Sequence, residues 1–153
     1  MENLANEKKY DLEDRLIEFT AAIFNIVDNM FDTKAGNHIA GQIVRSGSNP
    51  GLHYGEAQSA ESRRDFIHKL KVLLKELRET RAALKIINRT RLTKRIDLVE
   101  ETQPECNQLI AIFMASIKTA KKNMEEEQKK SKTVVLGIIL SIGFASNLFF
   151  ILC

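Results

Sequence analysis

The sequence predicts an all-α protein, four helices around one core with a hydrophobic C-terminal tail. Three observations predict it. Apolar residues recur with alternating steps of four and three over three long segments, the spacing of a helix that buries one stripe. Breakers are few: 2 prolines and 7 glycines in 153 residues, with abundant Lys, Glu, Leu and Ile. The last 21 residues, 133–153, carry no charge.

The first helix is expected from about Asp11 to Phe31. Leu12, Leu16, Phe19, Ile23, Ile26 and Met30 form its seam, and Ile17, Phe24 and Phe31 widen it. Asp32–Gly36 then reads as a turn. The third helix starts near Ser59, with Phe66, Leu70, Leu73, Leu77, Thr80, Leu84 and Ile87 on its seam. Thr80, the one polar member, can bond back to its own helix backbone. Residues 88–94 (Asn-Arg-Thr-Arg-Leu-Thr-Lys) read as a connection. The fourth helix runs from about Asp97 to Glu127 on Val99, Thr102, Cys106, Ile110, Phe113, Ile117, Ala120 and Met124. Pro104 falls early in it, where proline harms least. Helices of this kind are marginal alone and must bury their stripes against each other.

Between the first and third lies SGSNPGLHYGEAQ, residues 46–58. Gly47, Gly51 and Gly55 are each four apart, which places them on one ridge of a helix. Such ridges let backbones approach closely, so the three are candidate helix-packing residues. A phosphate loop fails on detail: Gly36-x4-Gly41 is followed by Gln-Ile rather than Lys-Ser/Thr, and no GxGxxG occurs. A second helix is therefore expected from about Asn37 to Ala57, bent near Ser46–Pro50.

Residues 42–80, QIVRSGSNPGLHYGEAQSAESRRDFIHKLKVLLKELRET, resemble the four-helix-bundle proteins encoded in intervening sequences of bacterial large-subunit ribosomal RNA genes. Gln42, Arg45, Ser46, Glu56, Ala57, Gln58, Ala60, Glu61, Ser62, Phe66, Ile67 and Leu70 carry the resemblance. Residues 109–123, LIAIFMASIKTAKKN, look like the family's last helix. A departure is Leu52-His53, where the family usually has Ala-Asn. The resemblance spans about residues 10–125. It implies an antiparallel up-and-down bundle and a ring-like homo-oligomer, a pentamer. It implies no settled activity. A related branch serves as basic accessory proteins of diversity-generating retroelements, in contact with a reverse transcriptase and nucleic acid. Arg45 and Glu56 match family positions and are candidates for a structural salt bridge between helices or subunits.

Charge is unevenly distributed. Residues 1–60 carry a net −4, residues 61–95 a net +8 and residues 96–132 a net −1. On a helical wheel Arg64, Lys71, Lys75, Arg78, Lys85 and Arg89 fall within about 40° of Lys71, opposite the core. Glu61, Asp65, Glu76 and Glu79 lie apart from them, at about 80–140°. This stripe is a candidate surface for an RNA or DNA backbone, each phosphate contact releasing counterions. A solvated face, or one that meets an acidic protein surface, has the same pattern. No aromatic residue interleaves with it, so base specificity is not expected.

His38, His53 and His68 are fifteen residues apart, with no i, i+4 pair, so no metal site is expected. Cys106 sits on an apolar seam and reads as a buried, inert thiol. No nucleophile elbow or paired-carboxylate signature appears; no enzyme, cofactor or small-molecule substrate is expected. The two cysteines, Cys106 and Cys153, imply no disulfide framework, and no secretory signal is expected at the N-terminus. The chain thus divides into a bundle (10–128), a basic flank (129–132) and the tail (133–153). The tail is long enough as a helix to span a hydrocarbon core. With Lys129, Lys130 and Lys132 before it, it reads as a membrane anchor holding the bundle at the cytoplasmic face of the inner membrane. The alternative is a cytoplasmic protein whose tail is a packing extension.

Overall fold

The computed structural model describes the backbone of residues 12–151, and side chains as far as Val135. Four helices follow in order: α1 Leu12–Asp28, α2 Lys34–Gln58, α3 Arg63–Thr90 and α4 Ile96–Ile151. Each packs against its neighbour in the chain, and α1 closes the ring against α4. Cross-helix contacts run antiparallel: Asn49 and Ser46 of α2 meet Glu76 and Thr80 of α3, while Arg63 and Leu77 of α3 meet Glu127 and Cys106 of α4.

The 4–3 seams supply the core. Leu16, Phe19, Ile23 and Ile26 are buried on α1; Leu70, Leu73, Leu77, Leu84 and Ile87 on α3; Val99, Cys106, Leu109 and Phe113 on α4. Each large aliphatic side chain so removed from water contributes roughly 1.5–3 kcal/mol. α2 supplies fewer large side chains, with Ile43 the one fully buried. Tyr54 compensates, packing edge-on against Phe113 across the core with ring centroids 6.0 Å apart.

Several expectations are corrected. Ile17, Phe24 and Phe31 do not widen the α1 stripe: they are 55%, 43% and 41% exposed. The helix ends at Asp28, so Phe31 lies in the following turn, where its N–H donates to Leu92 O. α2 begins at Lys34, not Asn37. Thr33 caps it, accepting from Gly36 N, which draws the expected turn residues into the first helical turn. Gly36 is required there, because a Cβ would sit 2.1 Å from Phe31 O. Pro50 is buried within α2 and lacks the N–H that would bond to Ser46 O. α3 starts after its Ser62 cap and runs to Thr90, taking in half of the expected connection.

The α3–α4 turn opens in an uncommon conformation. Arg91 closes α3 with φ 52° and ψ 44°, the left-handed region, donating its N–H to Ile87 O. A side chain there costs roughly 1–2 kcal/mol, which is why glycine usually fills such a cap. The turn is pinned to the α1–α2 turn. Lys94 N donates to Asn29 O at 2.9 Å, Thr93 Oγ1 to the same oxygen at 3.1 Å, and Met30 and Thr93 form an isolated antiparallel bridge.

α4 is a single helix of 56 residues, continuous through the basic flank. Among the described residues, no helix is long and apolar enough to cross a membrane. The expected anchor, 133–153, lies from residue 136 onward outside the described side chains.

Candidate functional site

The α3 periodicity that buries Leu70, Leu73, Leu77 and Leu84 turns the opposite face to solvent. Arg64, Lys71, Lys75, Arg78, Lys85 and Arg89 all stand exposed on it. At 1.5 Å per residue the row is about 38 Å long. Two other α3 cations, by contrast, are paired. Arg63 pairs with Glu127 at 2.8 Å and Lys69 with Asp65 at 2.8 Å. The Lys69 ammonium holds the Asp65 carboxyl below its usual range. Of the row itself, Lys75 alone has an ion pair among the described residues, an exposed one with Glu79 at 3.4 Å. The structure therefore brings all six sequence-predicted cations onto one solvent-facing line.

The row continues past the helix. Residues 88–95 hold four cations and no carboxylate: Arg89, Arg91, Lys94 and Arg95. Arg95 is taken up by Asp97, whose carboxyl it lowers. Arg91 and Lys94 are exposed. Sequence reasoning missed these two because 88–94 read as a connector. The one available signal was that no glycine stands where α3 must stop.

The glycine ridge behaves differently from the expectation. Gly47 is packed: a Cβ there would meet Ile23 Cγ2 at 2.8 Å, and its carbonyl accepts from Thr20 Oγ1 at 3.2 Å. Gly51 and Gly55 have nothing within 4 Å of a built Cβ among the described residues, so a side chain there would meet open space. On the wheel they step about 40° and 80° outward from Gly47. On α1, Ile17 and Phe24 lie about 60° and 40° from Thr20. Leu52 on α2 is 68% exposed, so both helices that flank the α1/α2 groove carry exposed apolar side chains.

Arg45 and Glu56 do not pair with each other. Both lie on α2, eleven residues apart, and each finds its partner one turn away. Arg45 donates to Gln42 at 2.5 Å, and Glu56 meets His53 Nδ1 at 3.2 Å. Besides Arg63–Glu127, an interhelix ion pair joins α1 to α4: Arg15 forks onto Glu105, with Nη2 2.8 Å from Oε2 and 2.6 Å from Gln108 Oε1. His38 and His68 are exposed, and no group of three metal-ligating side chains occurs among the described residues. Cys106 is fully buried, its Sγ 3.5 Å from Leu77 O, and burial pushes the thiol up to about 12. A shallow groove of about 450 Å³ near the α3 N-terminus is lined by Arg63, Phe66, Ser116, Thr119 and Asn123.

Comparison with known proteins finds no family profile and no curated protein that matches. A solved structure does: a protein of unknown function from the S23 ribosomal protein family of Bacteroides thetaiotaomicron VPI-5482. It is 30% identical, with a TM-score of 0.64, over 71% of this chain and 99% of the other. Similarity at this level over essentially the whole of that protein, together with the shared helical fold, means that the chain belongs to the S23 ribosomal protein family.

Proposed function

We propose that this protein is a non-enzymatic, self-associating helical-bundle module that presents the α3 cation row to an anionic partner, a nucleic-acid backbone. The observation that carries the reading is the separation of charge on α3. Of its off-row cations, Arg63 and Lys69 are neutralised by neighbours and Arg81 is half-buried, while Arg64, Lys71, Arg78, Lys85 and Arg89 are exposed with no carboxylate within ion-pair distance among the described residues. A face that served solubility alone would intersperse both signs. No aromatic residue sits among them, so contact is with phosphates rather than bases.

Self-association uses the α1/α2 groove. Ile17 and Phe24 of α1 and Leu52 of α2 are exposed, and Gly51 and Gly55 leave open space at their Cβ positions, so a second copy can bury knobs against recesses of the same surface. The family resemblance implies a pentamer, in which five rows would act together. Residues 133–151 of the uncharged run continue α4, and its basic flank Lys129, Lys130 and Lys132 favours a tether at the cytoplasmic face of a membrane.

The test is binding of the full-length chain to short RNA and DNA between 50 and 300 mM salt, beside a variant with Lys71, Lys75, Arg78 and Lys85 changed to Glu. Affinity that falls steeply with salt and vanishes in the variant supports the reading; no binding at the lowest salt removes it. Light scattering of Phe24→Glu tests the groove, which predicts a smaller particle than the parent. Membrane fractionation of the full chain against one ending at Lys132 tests the tether. A full chain that stays in the soluble fraction would remove it.

A further inference from the structure

We infer that the α3–α4 turn, Arg89, Arg91 and Lys94, is a rigid phosphate clamp that ends the cation row and sets its register on a nucleic-acid backbone. This rests on the binding role proposed for α3. The starting point is Arg91. It is the single non-glycine residue with positive φ among the described residues. Glycine or asparagine fits that conformation better. The backbone gains nothing from a side chain here, so the guanidinium itself is what the position offers. It is exposed, and no carboxylate lies within ion-pair distance of it among the described residues.

The surroundings make the turn a firm platform. Leu92 is tied on both sides, its N–H to Ile87 O at 3.3 Å and its O to Phe31 N at 2.9 Å. Thr93 is buried, donates to Asn29 O, and accepts from Arg95 N at 3.2 Å. Cations held on a fixed backbone lose little freedom when they meet a phosphate. Arg89 and Arg91 add planar forks that can grip two phosphate oxygens at once.

Position favours nucleic acid over lipid. The turn lies at the end of the bundle where α4 begins. Thr133, where the uncharged run starts, stands about 55 Å further along the same continuous helix. A membrane engaged by that run is out of reach of Arg91. Arg89, by contrast, belongs to the row and lies in the last turn of α3, two residues before Arg91, so one polyanion can follow both.

The experiment compares full-length Arg91→Asn, Arg91→Lys and Lys118→Ala with the parent. Lys118 is an exposed α4 cation away from the row. Fluorescence anisotropy reads binding to a 30-base-pair RNA duplex and to a single strand of the same length, across a salt series; thermal unfolding is measured alongside. The clamp predicts that Arg91→Asn unfolds at the parent's temperature or above it, yet binds about tenfold more weakly with a salt slope smaller by about one. Arg91→Lys falls between, and Lys118→Ala stays within about twofold. Equal weakening by Arg91→Asn and Lys118→Ala, or no weakening by Arg91→Asn, overturns the clamp while leaving the α3 row standing. A parent chain that binds neither RNA overturns both.

Discussion

Thr80 Oγ1 on α3 lies 3.0 Å from Ser46 Oγ on α2 and 3.0 Å from the Glu76 carbonyl on its own helix. Thr80 has one proton for these two contacts, so the Ser46 hydroxyl supplies the other. Both residues are buried, at 0% and 4% exposure, so the pair holds the two helices in register through groups that water cannot serve. Thr80→Val should destabilise the fold by about 1–3 kcal/mol, by leaving the Ser46 hydroxyl without its partner. Adding Ser46→Ala should recover part of that loss. Urea unfolding of the two singles and the double, read as a cycle, checks it.

The glycines of α2 should separate by environment. Gly47→Ala puts a methyl group into Ile23 and should cost about 1–3 kcal/mol. Gly55→Ala meets open space and should stabilise an isolated chain by about 0.5–1 kcal/mol. Melting temperatures at low protein concentration measure both. A Gly47→Ala as stable as the parent would show that Ile23 yields at no cost.

Arg15 and Glu105 join α1 to α4 across ninety residues, and both are partly shielded from water. Glu105→Gln should lower stability by about 1 kcal/mol, since charge-assisted, forked pairs exceed ordinary surface ion pairs. The same change at Glu126, in an exposed one-turn pair with Lys122, should have no measurable effect.

Acid should weaken the fold partly through Asp65 and Asp97. Both carboxyls are held below their ordinary value, Asp65 by Lys69 and Asp97 by Arg95. A carboxyl whose folded value is depressed stabilises the fold above its unfolded value and loses that contribution as pH falls through the folded one. Stability should therefore decline below about pH 4, and less steeply in the Asp65→Asn, Asp97→Asn double variant. The Arg95–Asp97 pair is exposed and the Lys69–Asp65 pair only half-buried, so 1 M salt should reduce the difference.

Cys106 should be inert while the protein is folded. Its thiol, raised to about 12 by burial, leaves almost no thiolate at pH 8. In a Cys153→Ser background, a disulfide reagent should react with Cys106 at the rate of unfolding. Immediate reaction in native buffer would show that the seam opens readily there.

The helical stripes were legible in the chain because periodicity is a local property. Leu70, Leu73, Leu77 and Leu84 repeat at the helical spacing whatever lies opposite them, and so do the cations behind them. Thus the helix identities, most of the core and all six residues of the α3 row could be read before any fold was known. Decisions that depend on a neighbour could not. Gly47, Gly51 and Gly55 share one spacing, yet Ile23 of another helix lies against the first, while a side chain at the others would meet open space. Ile17 and Phe24 are as apolar as Phe19, but α2 approaches α1 at an angle that leaves them outside. Arg45 and Glu56 each settled on a partner one turn away, while Arg15 reached Glu105 on α4. The left-handed cap at Arg91 follows from docking one turn onto another through Asn29, Phe31 and Thr93. Contacts between residues far apart in sequence are set by where the helices stop and how they cross, and those are settled only when the whole core packs.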